Sequence, residues 1–185
     1  MPRRPHPEAR HAPCAFGGDP ADPRGFCHWL TAFIVALQSQ NFSRRTAHSY
    51  SLDLEHFRAW AEVRGLTQPA EISKPILERY QRYLFYYRKK NGSPLGFVSQ
   101  KNRLHALRSF FKWLSSQNLI LYNPAAELRL PRTPKRLPVN VWTAAEIETI
   151  LAQPDLNDPA GLRDRALLET FYATGIRRME AVALE

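Results

Sequence analysis

Cysteine is scarce in this sequence and long hydrophobic runs are missing, and each shortage excludes a class of protein. Cys14 and Cys27 are too few to frame a disulfide-stabilised fold, and they suit a reducing compartment. No stretch reaches the roughly 18 consecutive apolar residues of a membrane span, and the N-terminus lacks the apolar region of a secretory signal. At 185 residues with 44% hydrophobic residues, the chain can still bury a core. We therefore expect a cytoplasmic protein with no membrane association.

Acidic residues are scarce in the middle of the chain. The formal net charge is +9, but residues 43–90 carry a net +5 and residues 98–138 a net +7, whereas residues 141–185 carry a net −4. A strongly basic middle predicts a polyanionic partner. The change of sign predicts two units with different roles.

Composition and periodicity divide the chain into four regions. Residues 1–24 are rich in proline, glycine and histidine without periodicity, which predicts a disordered tail. Residues 25–129 show four helical patterns, and no alternation predicts a strand before residue 140. Residues 130–140 contain three prolines and are predicted to form an extended linker. Residues 141–185 show further helical patterns, so the predicted fold class is all-α.

Caps and apolar spacing locate the helices. Ser43 is predicted to cap the second helix and Gly65 to end it, and Ser73 is predicted to cap the third. The fourth covers about residues 98–117. Its predicted buried stripe is Leu104, Leu107, Phe111 and Leu114.

The last 45 residues carry equally clear signals. Thr143 and Glu146 form a predicted capping box, Asp158-Pro159 opens another helix and Gly175 is its predicted C-cap. A final helix is predicted from about residue 177. Three short helices with an acidic surface make a poor independent domain, so we expect this region to be the truncated start of a larger one.

Two basic features point to phosphate binding. On the fourth helix, cationic side chains at intervals of four, three and four line one face, roughly 110° from the apolar stripe. They are Lys101, His105, Arg108 and Lys112. Residues 43–46, Ser-Arg-Arg-Thr, place hydroxyls, guanidinium groups and backbone N–H groups at one helix N-terminus. DNA or RNA binding is favoured over the alternative that these are ordinary solvated faces.

Two further groupings are weaker. Five histidines and cysteines match no common zinc spacing, so no metal is expected; they are His6, His11, Cys14, Cys27 and His28. Four tyrosines invite a base-stacking interpretation, but three share the predicted buried face of the third helix, which favours core packing. The four are Tyr80, Tyr83, Tyr86 and Tyr87.

Residues 163–180 resemble the first catalytic box of the tyrosine recombinases, the family of phage integrases and Xer-type site-specific recombinases. The shared pattern is an RDRALL helix, then Tyr-Ala-Thr-Gly-Ile-Arg and a glutamate three residues later. Upstream blocks agree in order with the family's core-binding domain and linker. They are Thr46–Trp60, Leu107–Leu114, Asn123–Ala125 and Lys135–Pro138. The resemblance covers about residues 26–185.

This resemblance implies a four-helix SAM-like core-binding domain over residues 25–129, followed after the linker by the first helices of a mixed α/β catalytic domain. It implies double-stranded DNA as partner and a role in DNA recombination or integration, with no cofactor and no small-molecule ligand. In the family's reaction a tyrosine attacks the scissile phosphate and forms a 3′-phosphotyrosyl bond, which conserves the phosphodiester energy.

The resemblance also implies residue roles. Arg177 would be the first active-site arginine, since a guanidinium fork suits the non-bridging oxygens of the transition state. Glu180 would hold Arg177 through an i, i+3 pair. The alternative is that Arg177 only caps a helix. The second and fourth helices and the linker would contact DNA through Ser43, Arg44, Arg45, Thr46, Lys101, Asn102, His105, Arg108, Lys112, Lys135 and Arg136.

Further residues of the family's active site would lie beyond Glu185: a lysine, a His-x-x-Arg box, another His or Trp and the nucleophilic tyrosine. We therefore expect this chain alone to bind DNA without cleaving it, as a monomer in solution, with self-association on DNA in a full-length form. Two alternatives stay open. One is a non-catalytic DNA-binding remnant of an integrase, and the other is a helical module whose basic face meets an acidic protein.

Overall fold

The computed structural model describes residues 16–19, 21–134 and 141–183, and the chain divides into two compact units, 1–134 and 135–185. The first unit contains helices α1 to α4 and the second contains α5 to α7. Their bounds are α1 Phe26–Ser39, α2 Arg44–Glu62, α3 Lys74–Tyr86, α4 Phe97–Ser116, α5 Ala144–Leu151, α6 Pro159–Thr174 and α7 Arg178–Val182. Over these described ranges no strand is present, so the all-α prediction is confirmed.

The predicted caps of the first unit lie at the helix ends. Ser43 precedes α2, and its Oγ accepts a hydrogen bond from Thr46 N at 3.1 Å. Past the end of α2, Gly65 has a positive φ of 72°, which glycine adopts without strain. Ser73 precedes α3 as predicted, although its side chain makes no capping hydrogen bond. Its carbonyl instead accepts the N–H groups of Ile76 and Leu77.

An aromatic core holds α1 to α4 together. Phe57 of α2 is 1% exposed, and its ring centroid lies 5.8 Å from that of Phe26 and 5.0 Å from that of Tyr80. Tyr80 is fully buried, which confirms its predicted core packing. Tyr83, predicted to share that face, is 37% exposed at the edge of the cluster, where Arg64 covers its ring. Burial of large aromatic side chains from three helices stabilises the bundle.

The N-terminal segment corrects one prediction. Residues 16–19 and 21–24 fall within the expected disordered tail, yet Phe16 is only 6% exposed and belongs to the core. Its carbonyl oxygen accepts a hydrogen bond from Cys27 Sγ at 3.5 Å. A buried phenylalanine outweighs the surrounding glycine and proline content, so the ordered bundle begins earlier than its periodicity predicts. Residues 1–15, with His6, His11 and Cys14, lie outside the described residues.

The second unit has well-formed helix ends but little interior. Thr143 N donates to Glu146 Oε2 at 2.8 Å, which confirms the capping box, and Gly175 is the left-handed C-cap of α6. On α6 itself, Leu162 and Leu167 are 53% and 46% exposed. None of the apolar side chains described in this unit is buried.

Two further observations complete the fold. Among the described residues, no helix is long and apolar enough to cross a membrane. The linker residues Lys135 and Arg136, predicted to contact DNA, lie outside the described residues.

Candidate nucleic-acid interface

Helix α4 separates its apolar and cationic side chains as the spacing predicts. The apolar stripe is at most 1% exposed. The four members of the cationic stripe, Lys101, His105, Arg108 and Lys112, are all exposed. Because the core holds the apolar face, the charges of Lys101, Arg108 and Lys112 point away from the bundle together, and their like-charge repulsion is relieved when an anion binds.

The N-terminus of α2 presents a second basic feature. Arg44 and Arg45 are exposed, and Thr46 is half-buried. Thr46 Oγ1 lies 2.8 Å from Ser43 Oγ, so the two hydroxyls share a hydrogen bond at the first turn. A helix N-terminus favours negative charge, and two flanking guanidinium groups strengthen that preference.

These two features meet in one groove between α2 and α4. The groove, of about 300 Å³, is lined from α2 by Arg45 and Thr46 and from α4 by Asn102 and His105. More than fifty residues of chain separate the two helix segments, so their meeting is a result of the fold. We call the groove, with the cationic stripe and the α2 N-terminus beside it, the α2–α4 surface.

Sequence reasoning missed four residues that complete the groove: Ser49, Tyr50 and Asp53 on α2, and Ala106 on α4. Tyr50 Oη lies 3.4 Å from Ser109 Oγ of α4, and its ring centroid lies 6.3 Å from that of His105. The sequence did contain a signal, because Tyr50 and Asp53 follow Thr46 at four and seven residues, which places them on its side of the helix.

Asp53 introduces a carboxylate into this basic surface. Its Oδ1 lies 3.9 Å from Nε of Arg103 on α4. Burial raises the pKa of Asp53 above its ordinary value, and the positive charge of Arg103 acts in the opposite direction. The Arg103 guanidinium also lies over the ring of Tyr87, 5.8 Å from its centroid. Arg103 therefore joins α4 to α2 and to the end of α3.

The predicted catalytic pair belongs to the second unit. Arg177 precedes α7, and its backbone N–H donates to Glu180 Oε2 at 2.9 Å. Its Nη1 donates to Glu180 Oε1 at 3.2 Å, which is the i, i+3 contact that the resemblance implied. The Arg177 side chain is 85% exposed, so its guanidinium is open to solvent.

Comparison with known proteins matches most of the segment from α1 to α4 to one protein family. The family described as phage integrase, N-terminal SAM-like domain, matches residues 29–120, which include every described residue of the groove. A solved N-terminal domain of a phage integrase/site-specific recombinase from Haloarcula marismortui covers 56% of this chain and 93% of its own, at 17% identity and a TM-score of 0.48.

Curated relatives extend the similarity into the second unit. Tyrosine recombinase XerC 2 of Ralstonia nicotianae is 47% identical over 166 residues, which are 90% of this chain and 48% of the relative. Tyrosine recombinase XerC of Pelotomaculum thermopropionicum is 36% identical over 83% of this chain and 50% of its own length. The XerC of Escherichia coli O157:H7 is 46% identical over 76% of this chain and 44% of its own. The chain thus spans about half the length of these relatives.

Proposed function

The chain belongs to the tyrosine recombinase (phage integrase) family, and on that premise we propose that its first unit binds double-stranded DNA through the α2–α4 surface. The observation that carries the proposal is the groove itself. It brings Arg45 and Thr46 together with Asn102 and His105, and the exposed cations of α4 continue beside it. Phosphate-binding and base-reading side chains therefore lie on one continuous surface.

The dimensions of helices and duplex DNA support this assignment. The major groove of B-DNA is about 12 Å wide and admits one α-helix. In our proposal α4 lies along that groove, with Lys101, Arg108 and Lys112 on backbone phosphates. The N-terminus of α2 receives a neighbouring phosphate through Ser43, Arg44 and Arg45. Asn102 and His105 then face the base edges. Lys135 and Arg136 of the linker add further phosphate contacts in this proposal.

For the whole protein we propose site-specific DNA recombination in the cytoplasm. Arg177 is proposed to stabilise the charge that develops on the scissile phosphate, and Glu180 to orient its guanidinium. Among the described residues, the Arg177 side chain donates a hydrogen bond to Glu180. We also propose that the chain by itself binds DNA without cleaving it, and that copies of a full-length form associate on DNA.

Titration against two polyanions separates DNA binding from a protein-interaction role. A labelled random-sequence duplex and a labelled polyglutamate of similar charge are each titrated with the 185-residue chain, from about 50 to 200 mM salt. We expect salt-dependent binding to the duplex and much weaker binding to polyglutamate. Equal or stronger binding to polyglutamate would favour the helical interaction module. Protection of an inverted repeat in a footprint would support descent from a recombinase over general DNA coating.

A further inference from the structure

One exposed apolar side chain lies in line with the polar side chains of the groove. Val98 is 61% exposed in the first turn of α4. It precedes Asn102 by four residues, His105 by seven and Ser109 by eleven, so all four lie along one side of the helix. Asn102 and His105 line the groove, and Ser109 contacts Tyr50 there. Val98 thus extends the groove-lining row by one turn.

An exposed valine has a defined use on a surface that faces the major groove. Of the four bases, thymine alone carries a methyl group there, and apolar side chains contact it. An asparagine amide pairs with adenine N6 and N7 at the same groove edge. Residues four apart on a helix are separated by about 6 Å, and base pairs by about 3.4 Å. The two side chains therefore reach base pairs one or two steps apart.

On the basis of the proposed function, we infer that Val98 and Asn102 read an A·T-containing step in the major groove, with Val98 against a thymine methyl group and Asn102 on an adenine. The groove is continuous with the cationic stripe, so duplex DNA held by Lys101 brings its base edges to this row. Contact with a methyl group removes apolar surface of both partners from water. The cations set affinity for any duplex, and this row sets the preference among sequences.

Replacing thymine by uracil removes only the methyl group and tests the inference directly. The 185-residue chain first selects duplexes from a random-sequence pool, and the selected duplex is then remade with uracil in place of each thymine in turn. At one position the wild-type chain should lose affinity by about fourfold, the effect of one buried methyl group. Val98→Ala should discriminate less than wild type between the thymine and uracil duplexes at that position, because its shorter side chain buries less of the methyl group. Val98 is largely exposed, so this variant should fold normally.

Two control variants define the alternative results. Lys101→Ala should weaken binding to both duplexes and keep the fourfold ratio. Val63→Ala, which alters a valine that is 84% exposed just past the end of α2, should behave as wild type. The inference is overturned if selection yields no sequence preference, or if no thymine-to-uracil replacement lowers the affinity of the wild-type chain. It is also overturned if Val98→Ala keeps the wild-type ratio of affinities for the thymine and uracil duplexes. If the chain binds no duplex at all, the proposed function itself fails.

Discussion

Asp53 Oδ1 on α2 lies 3.9 Å from Arg103 Nε on α4, so the groove contains a carboxylate whose cationic partner comes from the opposite helix. The two side chains are 25% and 13% exposed. A carboxylate among cations opposes phosphate binding unless its charge is balanced. Arg103 offsets part of that charge, and the ion pair links α2 to α4 beside the groove.

Removing Arg103 should therefore destabilise the first unit. Arg103→Met leaves Asp53 half-buried without its partner, and we expect the free energy of unfolding to fall by about 1–3 kcal/mol. The double variant Asp53→Asn, Arg103→Met should recover part of that loss, because it no longer buries an unpaired charge. Urea denaturation followed by circular dichroism measures both effects. If the loss in the double variant equals the sum of the losses in the two single variants, the two residues do not interact.

The pH dependence of stability should carry a contribution from His56. Partial desolvation lowers the pKa of His56, although the residue is exposed at the surface; the charge of Arg103 lowers it further, and Glu55 acts in the opposite direction. The fold therefore disfavours the protonated imidazole. Stability from this group is present above its unfolded pKa of 6.5 and is lost as the pH falls through the lower folded value.

His56→Gln should accordingly reduce the loss of stability between about pH 7 and pH 5.5. Asp53 has the opposite sign, because its raised pKa disfavours the carboxylate and makes the fold gain stability as that group protonates. Asp53→Asn should therefore gain less stability than wild type as the pH falls. Urea midpoints measured from about pH 7 down to about pH 4 test both, because the Asp53 contribution develops as the pH falls towards its unfolded value of 3.8. An unchanged pH profile in His56→Gln would contradict the assignment.

The packing of the N-terminal segment can be tested at Gly17. A Cβ atom there would clash with Arg58 Nη2 and lie 2.7 Å from Arg58 Cζ. Arg58 is 8% exposed and cannot move freely, because it pairs with Glu55 and Glu62, each at 2.7 Å. We expect Gly17→Ala to lower the free energy of unfolding by about 1–3 kcal/mol.

Gly96→Ala is the matched control, since a Cβ there would meet nothing within 4 Å. Because Gly96 is the N-cap of α4 and alanine is a weaker N-cap than glycine, this variant should lower the free energy of unfolding by less than about 1 kcal/mol. Equal urea midpoints for the two alanine variants would mean that residues 16–19 contribute nothing to the bundle, contrary to the burial of Phe16.

Arg177 should contribute little to DNA binding by this chain. A group that acts on charge developing in the transition state is not needed for ground-state affinity. The pair with Glu180 is exposed, so Arg177→Ala should change stability by less than about 0.5 kcal/mol. Duplex titrations should give an unchanged dissociation constant for Arg177→Ala. A loss as large as that of Arg108→Ala would instead place Arg177 in the binding surface.

The helices could largely be predicted from the sequence because their signals are local. Apolar spacing and caps at Ser43, Thr143 and Gly175 lie within a few residues of what they determine. The partition of α4 into a buried and a cationic side was equally readable from its spacing. The burial of Phe16 could not be predicted from the sequence, since the segment around it has no apolar periodicity. Its burial depends on a core that residues elsewhere in the chain form.

The groove also escaped prediction, for a related reason. Its two walls were each identified as basic features, but their juxtaposition depends on how α2 packs on α4, more than fifty residues later. The pairing of Asp53 with Arg103 is a contact between those helices and has no local signature. Sequence spacing identifies which side of a helix a residue occupies, and tertiary packing decides which sides meet.

The salt dependence of duplex binding in charge variants tests the central claim most directly. A random-sequence duplex is titrated at several salt concentrations with wild type and with two double variants. The stripe variant carries Lys101→Ala and Arg108→Ala, and the control variant carries Arg24→Ala and Arg79→Ala. The last variant removes two exposed arginines that lie outside the α2–α4 surface. The account predicts that the stripe variant binds more weakly and that its slope of log affinity against log salt flattens by about 2, with the control slope unchanged. Equal slopes for the stripe variant and wild type would remove α4 from the DNA interface.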